Sequence, residues 1–148
     1  MLFLFLLQME KVVFIINPFS AKRNYQPFLD SLKQKVSNPN YYISDSVEGT
    51  EKFIEDHFEN TEIFVAIGGD GTISSVAQKI IHTDKILAIF PAGSGNGFSN
   101  ETNFHKNLDE LLEKIQQKKS RQIDTFMVND KLSINVSGNH RKFRKRNH

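Results

Sequence analysis

Three apolar runs constrain this chain more than any other feature: Val12-Val13-Phe14-Ile15-Ile16, Ile63-Phe64-Val65-Ala66-Ile67 and Ile86-Leu87-Ala88-Ile89-Phe90. A run with no polar alternation cannot line a sheet with one wet face. It demands cover on both sides, the condition of strands inside a parallel sheet. Stretches of helical spacing lie between the runs. Gln26 to Lys35 places Phe28, Leu29, Leu32 and then Val36 on one stripe and stops at Asn38-Pro39. Glu48 to Phe58 carries Phe53, Ile54 and Phe58. Thr72 to Ile81 carries Ile73, Val76, Ala77, Ile80 and Ile81. Tyr41-Tyr42-Ile43 reads as a further strand. Leu108, Leu111, Leu112 and Ile115 mark one more amphipathic helix, and Arg121 to Val128 with Lys131 to Val136 reads as a strand pair turning at Asn129-Asp130. Alternation of this kind predicts a three-layer α/β/α domain, a mostly parallel sheet with helices on both faces joined by right-handed crossovers.

The 148 residues suffice for one domain and not for two of ordinary size. With 39% apolar and 24% charged residues the composition is that of a soluble globular protein, and the absence of cysteine removes disulfides, thiolate metal sites and a cysteine nucleophile together. That fits a cytoplasmic location. The formal charge of +2 misleads, because Arg141, Lys142, Arg144, Lys145 and Arg146 supply five of nineteen basic residues; without them fourteen face seventeen acidic ones. A mildly acidic body argues against nucleic acid as a partner. The domain body is expected over residues 10–138. Residues 139–148 form a basic tail expected to be disordered, and residues 1–9 an N-terminal extension whose seven-residue apolar start is far short of the roughly 20 residues that span a bilayer.

In an open parallel sheet, ligands bind beyond the carboxyl ends of the strands, so the loops after the apolar runs carry the chemistry. Asn17-Pro18-Phe19-Ser20 follows the first, Gly68-Gly69-Asp70-Gly71-Thr72 the second and Pro91-Ala92-Gly93-Ser94-Gly95-Asn96-Gly97 the third. Glycines at 68, 69 and 71 let the backbone take positive φ and come close to a ligand, exposing N–H groups, with Thr72 opening a helix whose orphan donors and dipole favour phosphate. Asp70 is out of place beside phosphates unless it holds Mg²⁺ or takes a proton from an attacking hydroxyl. Gly93, Ser94, Gly95 and Asn96 extend the donor set. Asn17 reads either as a nucleotide ligand or as a brace for the neighbouring loop.

Neither a G-x-x-x-x-G-K-[ST] loop nor a G-x-G-x-x-G after the first strand is present. His57, His82, His105, His140 and His148 show no metal-ligand spacing and read as surface residues. From pattern alone, Asp124 and Asn135 read as turn or edge residues.

The order Asn-Pro turn, GGDGT, then Pro-x-Gly-Ser-x-Asn resembles the catalytic domain of diacylglycerol-kinase-like lipid kinases, over about Lys11 to Gly138. GGDGT alone is shared with NAD kinases; the Pro91 to Asn96 loop selects the lipid-kinase branch, and Ile123-Asp124-Thr125 with Asn135-Val136-Ser137-Gly138 is similar to the next segments of that branch. The resemblance implies ATP and Mg²⁺ as cofactors and transfer of the γ-phosphoryl group to a lipid hydroxyl, with peripheral contact at the inner membrane surface. It assigns phosphate and metal to Gly69, Asp70, Gly71 and Thr72, further phosphate contacts to Ser94 and Asn96, and nucleotide to Asn17. Ser74-Ser75 stands where the family commonly has Asn-Glu or His-Glu, and Asn96-Gly97-Phe98-Ser99-Asn100 where many members have Asn-Asp-Phe-Ala-Arg. The family pattern breaks at Gly138, before its second, β-rich domain. The expectation is therefore a weakly active or inactive chain whose Phe126, Met127, Leu132 or Ile134 would be exposed and favour self-association. Two readings of other kinds stay open, an NAD-kinase-like phosphotransferase and a non-catalytic nucleotide-binding or dimerising module.

Overall fold

A computed structural model of the chain describes residues 6–19, 25–91, 101–117, 125–128 and 131–134, with the backbone alone at Asp70, Pro91, 101–107 and the last two segments. The apolar runs are strands β2 (Val12–Ile16), β5 (Ile63–Gly68) and β6 (Ile86–Pro91), and with β4 (Asn40–Ile43) they form one parallel sheet in the order β4-β2-β5-β6. Between them run α1 (Gln26–Lys35), α2 (Val47–His57) and α3 (Asp70–Ile80), and α4 (Glu101–Gln116) comes after β6. A two-residue strand β1 (Leu7–Gln8) pairs in parallel with β3 (Val36–Ser37), and β7 (Thr125–Val128) with β8 (Lys131–Ile134) makes the expected antiparallel pair. Its turn, 129–130, lies outside the described residues.

Successive strand side chains point to opposite faces, and the core divides accordingly. Val12, Phe14, Ile16, Ile63, Val65 and Ile67 meet α1 and α4 through Phe28, Leu29, Leu32, Leu108, Leu112 and Ile115. Val13, Ile15, Phe64 and Ala66 meet α2 and α3 through Ile54, Ile73, Val76 and Ile80. The three layers predicted from the alternation are thus present. Which helix takes which face is set by handedness. The step from β2 to β4 runs one way along the sheet, while those from β4 to β5 and β5 to β6 run the other. Right-handed crossovers then send α1 to one face and α2 and α3 to the other. Met9 and the partly buried Leu7 join the α1 face.

Two boundaries differ from the expectation. Val36 does not continue the α1 stripe: it caps the helix with φ −118° and ψ 130° and turns into β3, still 1% exposed. Asn38 then takes φ 45°, a left-handed position that asparagine tolerates better than most residues. Helix α3 begins at Asp70, two residues before Thr72, because Gly69 already accepts the first intrahelical bond from Ile73 N–H (3.1 Å).

Candidate functional site

Strands β2 and β5 are neighbours, yet the helices that succeed them lie on opposite faces of the sheet. A crevice opens where such chains part, the topological switch point at which open α/β sheets bind ligands. Asn17 leaves β2 there and Gly68 ends β5 there. The register makes the alignment tight: Ile16 lies opposite both Ile43 and Ile67, Ile67 opposite Phe90 and Gly68 opposite Pro91. Asn17 N–H donates to the Ile67 carbonyl (2.9 Å) and Ser44 N–H to that of Ile16 (2.8 Å), so three loops leave the sheet at one level.

Across the crevice, Asn17 Nδ2 donates to Thr72 Oγ1 (3.0 Å), while Asn17 Oδ1 accepts from Phe19 N–H (2.9 Å). The second bond fixes the amide's orientation, since only the oxygen can accept from a backbone donor. Thr72 Oγ1 must therefore be the acceptor in the bond from Asn17. Gly68 closes the interlock: a Cβ there would sit 2.6 Å from Thr72 Oγ1 and 3.1 Å from Asn17 Cβ. Asn17, Gly68 and Thr72 form one packed unit spanning 55 residues of sequence.

The glycines do not use the left-handed freedom that their lack of a side chain allows. None of Gly68, Gly69 and Gly71 lies in the left-handed region, and Gly69 is extended with φ −91° and ψ −168°. What the glycines contribute is missing bulk. Gly68 lets Thr72 and Asn17 close on the strand. Among the described residues nothing lies within 4 Å of a Cβ position at Gly69 or Gly71, so they leave that flank of the helix start open. Gly69 is the N-cap of α3 and has no side chain to cap the first-turn donors, the N–H groups that favour an anion at a helix start.

Asp70 is the first residue of α3; its carboxylate, like the Ala92 to Asn100 stretch holding Gly93, Ser94, Gly95 and Asn96, lies outside what the structure describes. So do Asp124, Asn135 and the tail. His57 and His82 are both exposed, as expected for surface residues, with His57 stacked on Phe53 at 4.0 Å. Ser75 Oγ donates to the Gly71 carbonyl (2.9 Å), spending the hydroxyl on its own helix.

One loop at this edge escaped the sequence reading. After β4, Ser46 caps α2 by accepting from Gly49 N–H (2.9 Å), and Asp45 accepts from the Tyr42 hydroxyl (2.9 Å) and Ser46 Oγ (3.1 Å). The bond from Tyr42 first, then that from Ser46, holds the Asp45 carboxyl below its usual range; burial first, then Asp45, pushes the Tyr42 hydroxyl up. The signal was available in Ser46 preceding a helical stripe. Two shallow depressions lie elsewhere, one along β1 and the end of α1, the other by Val12 and Ile63 at the amino ends of the strands.

The family description "diacylglycerol kinase catalytic domain" matches residues 11–128, which takes in the whole interlock. The chain belongs to the diacylglycerol kinase catalytic domain family. Within this lipid kinase family it is 25% identical over 138 residues to a diacylglycerol kinase of Bacillus subtilis strain 168, covering 88% of this chain and 46% of that protein. To a diacylglycerol kinase of Staphylococcus aureus strain bovine RF122 / ET3-1 it is 25% identical over 130 residues, covering 83% and 41%. A crystal structure of a diacylglycerol kinase from Bacillus anthracis strain Sterne superposes with a TM-score of 0.55 at 20% identity, over 83% of this chain and 47% of that one, a likeness of fold. The chain spans less than half the length of these relatives. No helix among the described residues is long and apolar enough to cross a membrane.

Proposed function

We propose that this chain is the nucleotide-binding part of a lipid kinase, holding ATP with Mg²⁺ in the crevice between β2 and β5 and passing the γ-phosphoryl group to a diacylglycerol- or sphingosine-like hydroxyl. The observation that carries this is the Asn17-Gly68-Thr72 interlock, which pins the uncapped start of α3 at the switch point of the sheet. The fit to phosphate rests on the open flanks of Gly69 and Gly71 and the orphan donors beside them. The fit to Mg²⁺ is a matter of donor chemistry. This ion keeps several waters and takes one or two carboxylates with phosphate oxygens, so a single Asp70 suffices. Bound there, the ion would neutralise charge on the β- and γ-phosphates.

The chain's own residues then position the nucleotide. Thr72, accepting from Asn17, donates its hydroxyl proton to a phosphate oxygen, and Gly93, Ser94, Gly95 and Asn96 add donors. As the lipid oxygen bonds to the γ-phosphorus, the bond to the leaving diphosphate breaks. Asp70 either accepts the lipid hydroxyl's proton or ligates the metal. Such a reaction runs at the cytoplasmic membrane surface, where its acceptor lies.

Incubating the chain with Mg²⁺-ATP and diacylglycerol or sphingosine tests the reading. Because the chain spans less than half of its relatives, low turnover with clear ATP binding is the expected result, and Asp70→Asn should abolish the turnover. Phosphorylation of NAD in place of lipid would overturn it. A second reading, nucleotide binding without transfer, is favoured by the Ser75 hydroxyl being spent on Gly71. ATP binding with no phosphorylated acceptor would select it.

A further inference from the structure

Asn17 stands at the switch point with both ends of its amide engaged by the protein. Oδ1 accepts from Phe19 N–H (2.9 Å) and Nδ2 donates to Thr72 Oγ1 (3.0 Å). The first bond decides the second. A backbone N–H can be met only by the amide oxygen, so the nitrogen is turned to Thr72, and a flipped amide would set donor against donor. A threonine hydroxyl has a single proton, and the bond with Asn17 does not use it. On the strand side the hydroxyl is held close as well, because Oγ1 lies 2.6 Å from where a Cβ at Gly68 would stand. An aspartate at position 17 could make the same two contacts in space with the opposite arrangement of protons, since a carboxylate only accepts.

We propose that Asn17 is a positioning residue that sets the polarity of the Thr72 hydroxyl, occupying a lone pair of Oγ1 so that the proton is directed to a phosphate oxygen, and that it does not itself touch the nucleotide. The inference rests on the ATP reading above. Phosphate oxygens are strong acceptors, so a hydroxyl beside them serves only with its proton turned outward. A direct nucleotide contact is the competing role. It would draw on an amide whose oxygen and nitrogen already serve Phe19 and Thr72.

The test is a double-mutant cycle on affinity, by calorimetry on the full chain with Mg²⁺-ATP and with Mg²⁺ and inorganic tripolyphosphate. Thr72→Val should weaken both ligands at least about ten-fold, the lower end for a hydrogen bond to a charged group. Asn17→Ala should weaken both alike by about two- to ten-fold, the range for a neutral bond, and should cost nothing further in the Thr72→Val background. A loss confined to ATP, a loss of equal size in either background, or no loss at all overturns the positioning role. Asn17→Asp separates polarity from bracing. Both contacts can be kept, so its Tm should stay nearer to wild type than that of Asn17→Ala, yet its affinity for both ligands should fall. Charge repulsion acts in either background, so the polarity effect is the part of that fall that Thr72→Val removes. If Thr72→Val removes none of it, Asn17 is a brace and the proposal fails. Wild type binding neither ligand overturns the nucleotide reading and this inference with it, whereas the other outcomes overturn the role of Asn17 alone.

Discussion

A methyl group added at Gly68 would lie 2.6 Å from Thr72 Oγ1 and 2.9 Å from Thr72 Cβ, and neither the strand nor the first turn of α3 can give way freely. Gly68→Ala is expected to cost about 1–3 kcal/mol, the usual range for overpacking, read as a lowered urea midpoint. Gly71 is the contrasting case. A Cβ there meets nothing within 4 Å among the described residues and the residue is helical, so Gly71→Ala should raise stability by up to about 1 kcal/mol while its methyl narrows that flank and weakens ATP binding. Stability and affinity moving together would contradict the assignment of that flank to phosphate. For the bond between Asn17 and Thr72, a double-mutant cycle with Asn17→Ala and Thr72→Val should give a coupling of about 0.5–1.5 kcal/mol in urea unfolding. At this scale the sequence pointed to candidate residues but not to what each one touches. The three glycines look alike in the loop, and only their neighbours separate a packing glycine from two open ones.

Helix α2 shows how an element is started by side chains that also report pH. Ser46 caps it, and Ser46→Ala should cost about 1 kcal/mol. Just before the cap, the Asp45 carboxyl titrates below its usual range because the Tyr42 hydroxyl and Ser46 bond to its charged form. A carboxyl with a lowered folded-state value contributes stability above its unfolded value, about 3.9, and loses it as pH falls through the folded value. Tyr42 has the opposite sense. Its raised value contributes stability below about pH 10 that is lost as pH climbs through the folded value. Tyr42→Phe should therefore return Asp45 toward the ordinary range, checked by following the Asp45 carboxyl carbon by NMR from about pH 2 to 6. An unchanged titration would show that the hydroxyl is not the cause. The helices and the strands of the main sheet were legible from apolar spacing, down to the span of α1, whereas β1, β3 and several ends were not. Val36 fits a helical stripe, yet pairing of Ser37 and Val36 with Gln8 and Leu7 draws it into a strand.

Across the whole molecule the sheet is buried from both sides, and Phe14 and Phe64, each 0% exposed, anchor opposite faces. Phe64→Ala should cost about 3–5 kcal/mol, a large share of the roughly 5–15 kcal/mol that holds a domain together, and urea unfolding would show it. The sequence by itself determined the layer count and the parallel character of the sheet, because continuous apolar runs admit no exposed face. It also determined the candidate loops, because chemistry in such sheets gathers at carboxyl ends. Tertiary structure alone decided the strand order, and with it the site. Only when the connection after β4 passes β2 and sets β5 on its other side does Asn17 meet Thr72, and only then do α1 and α3 leave neighbouring strands on opposite faces. Contacts between distant residues are set by packing and crossover handedness, which no local pattern of residues encodes.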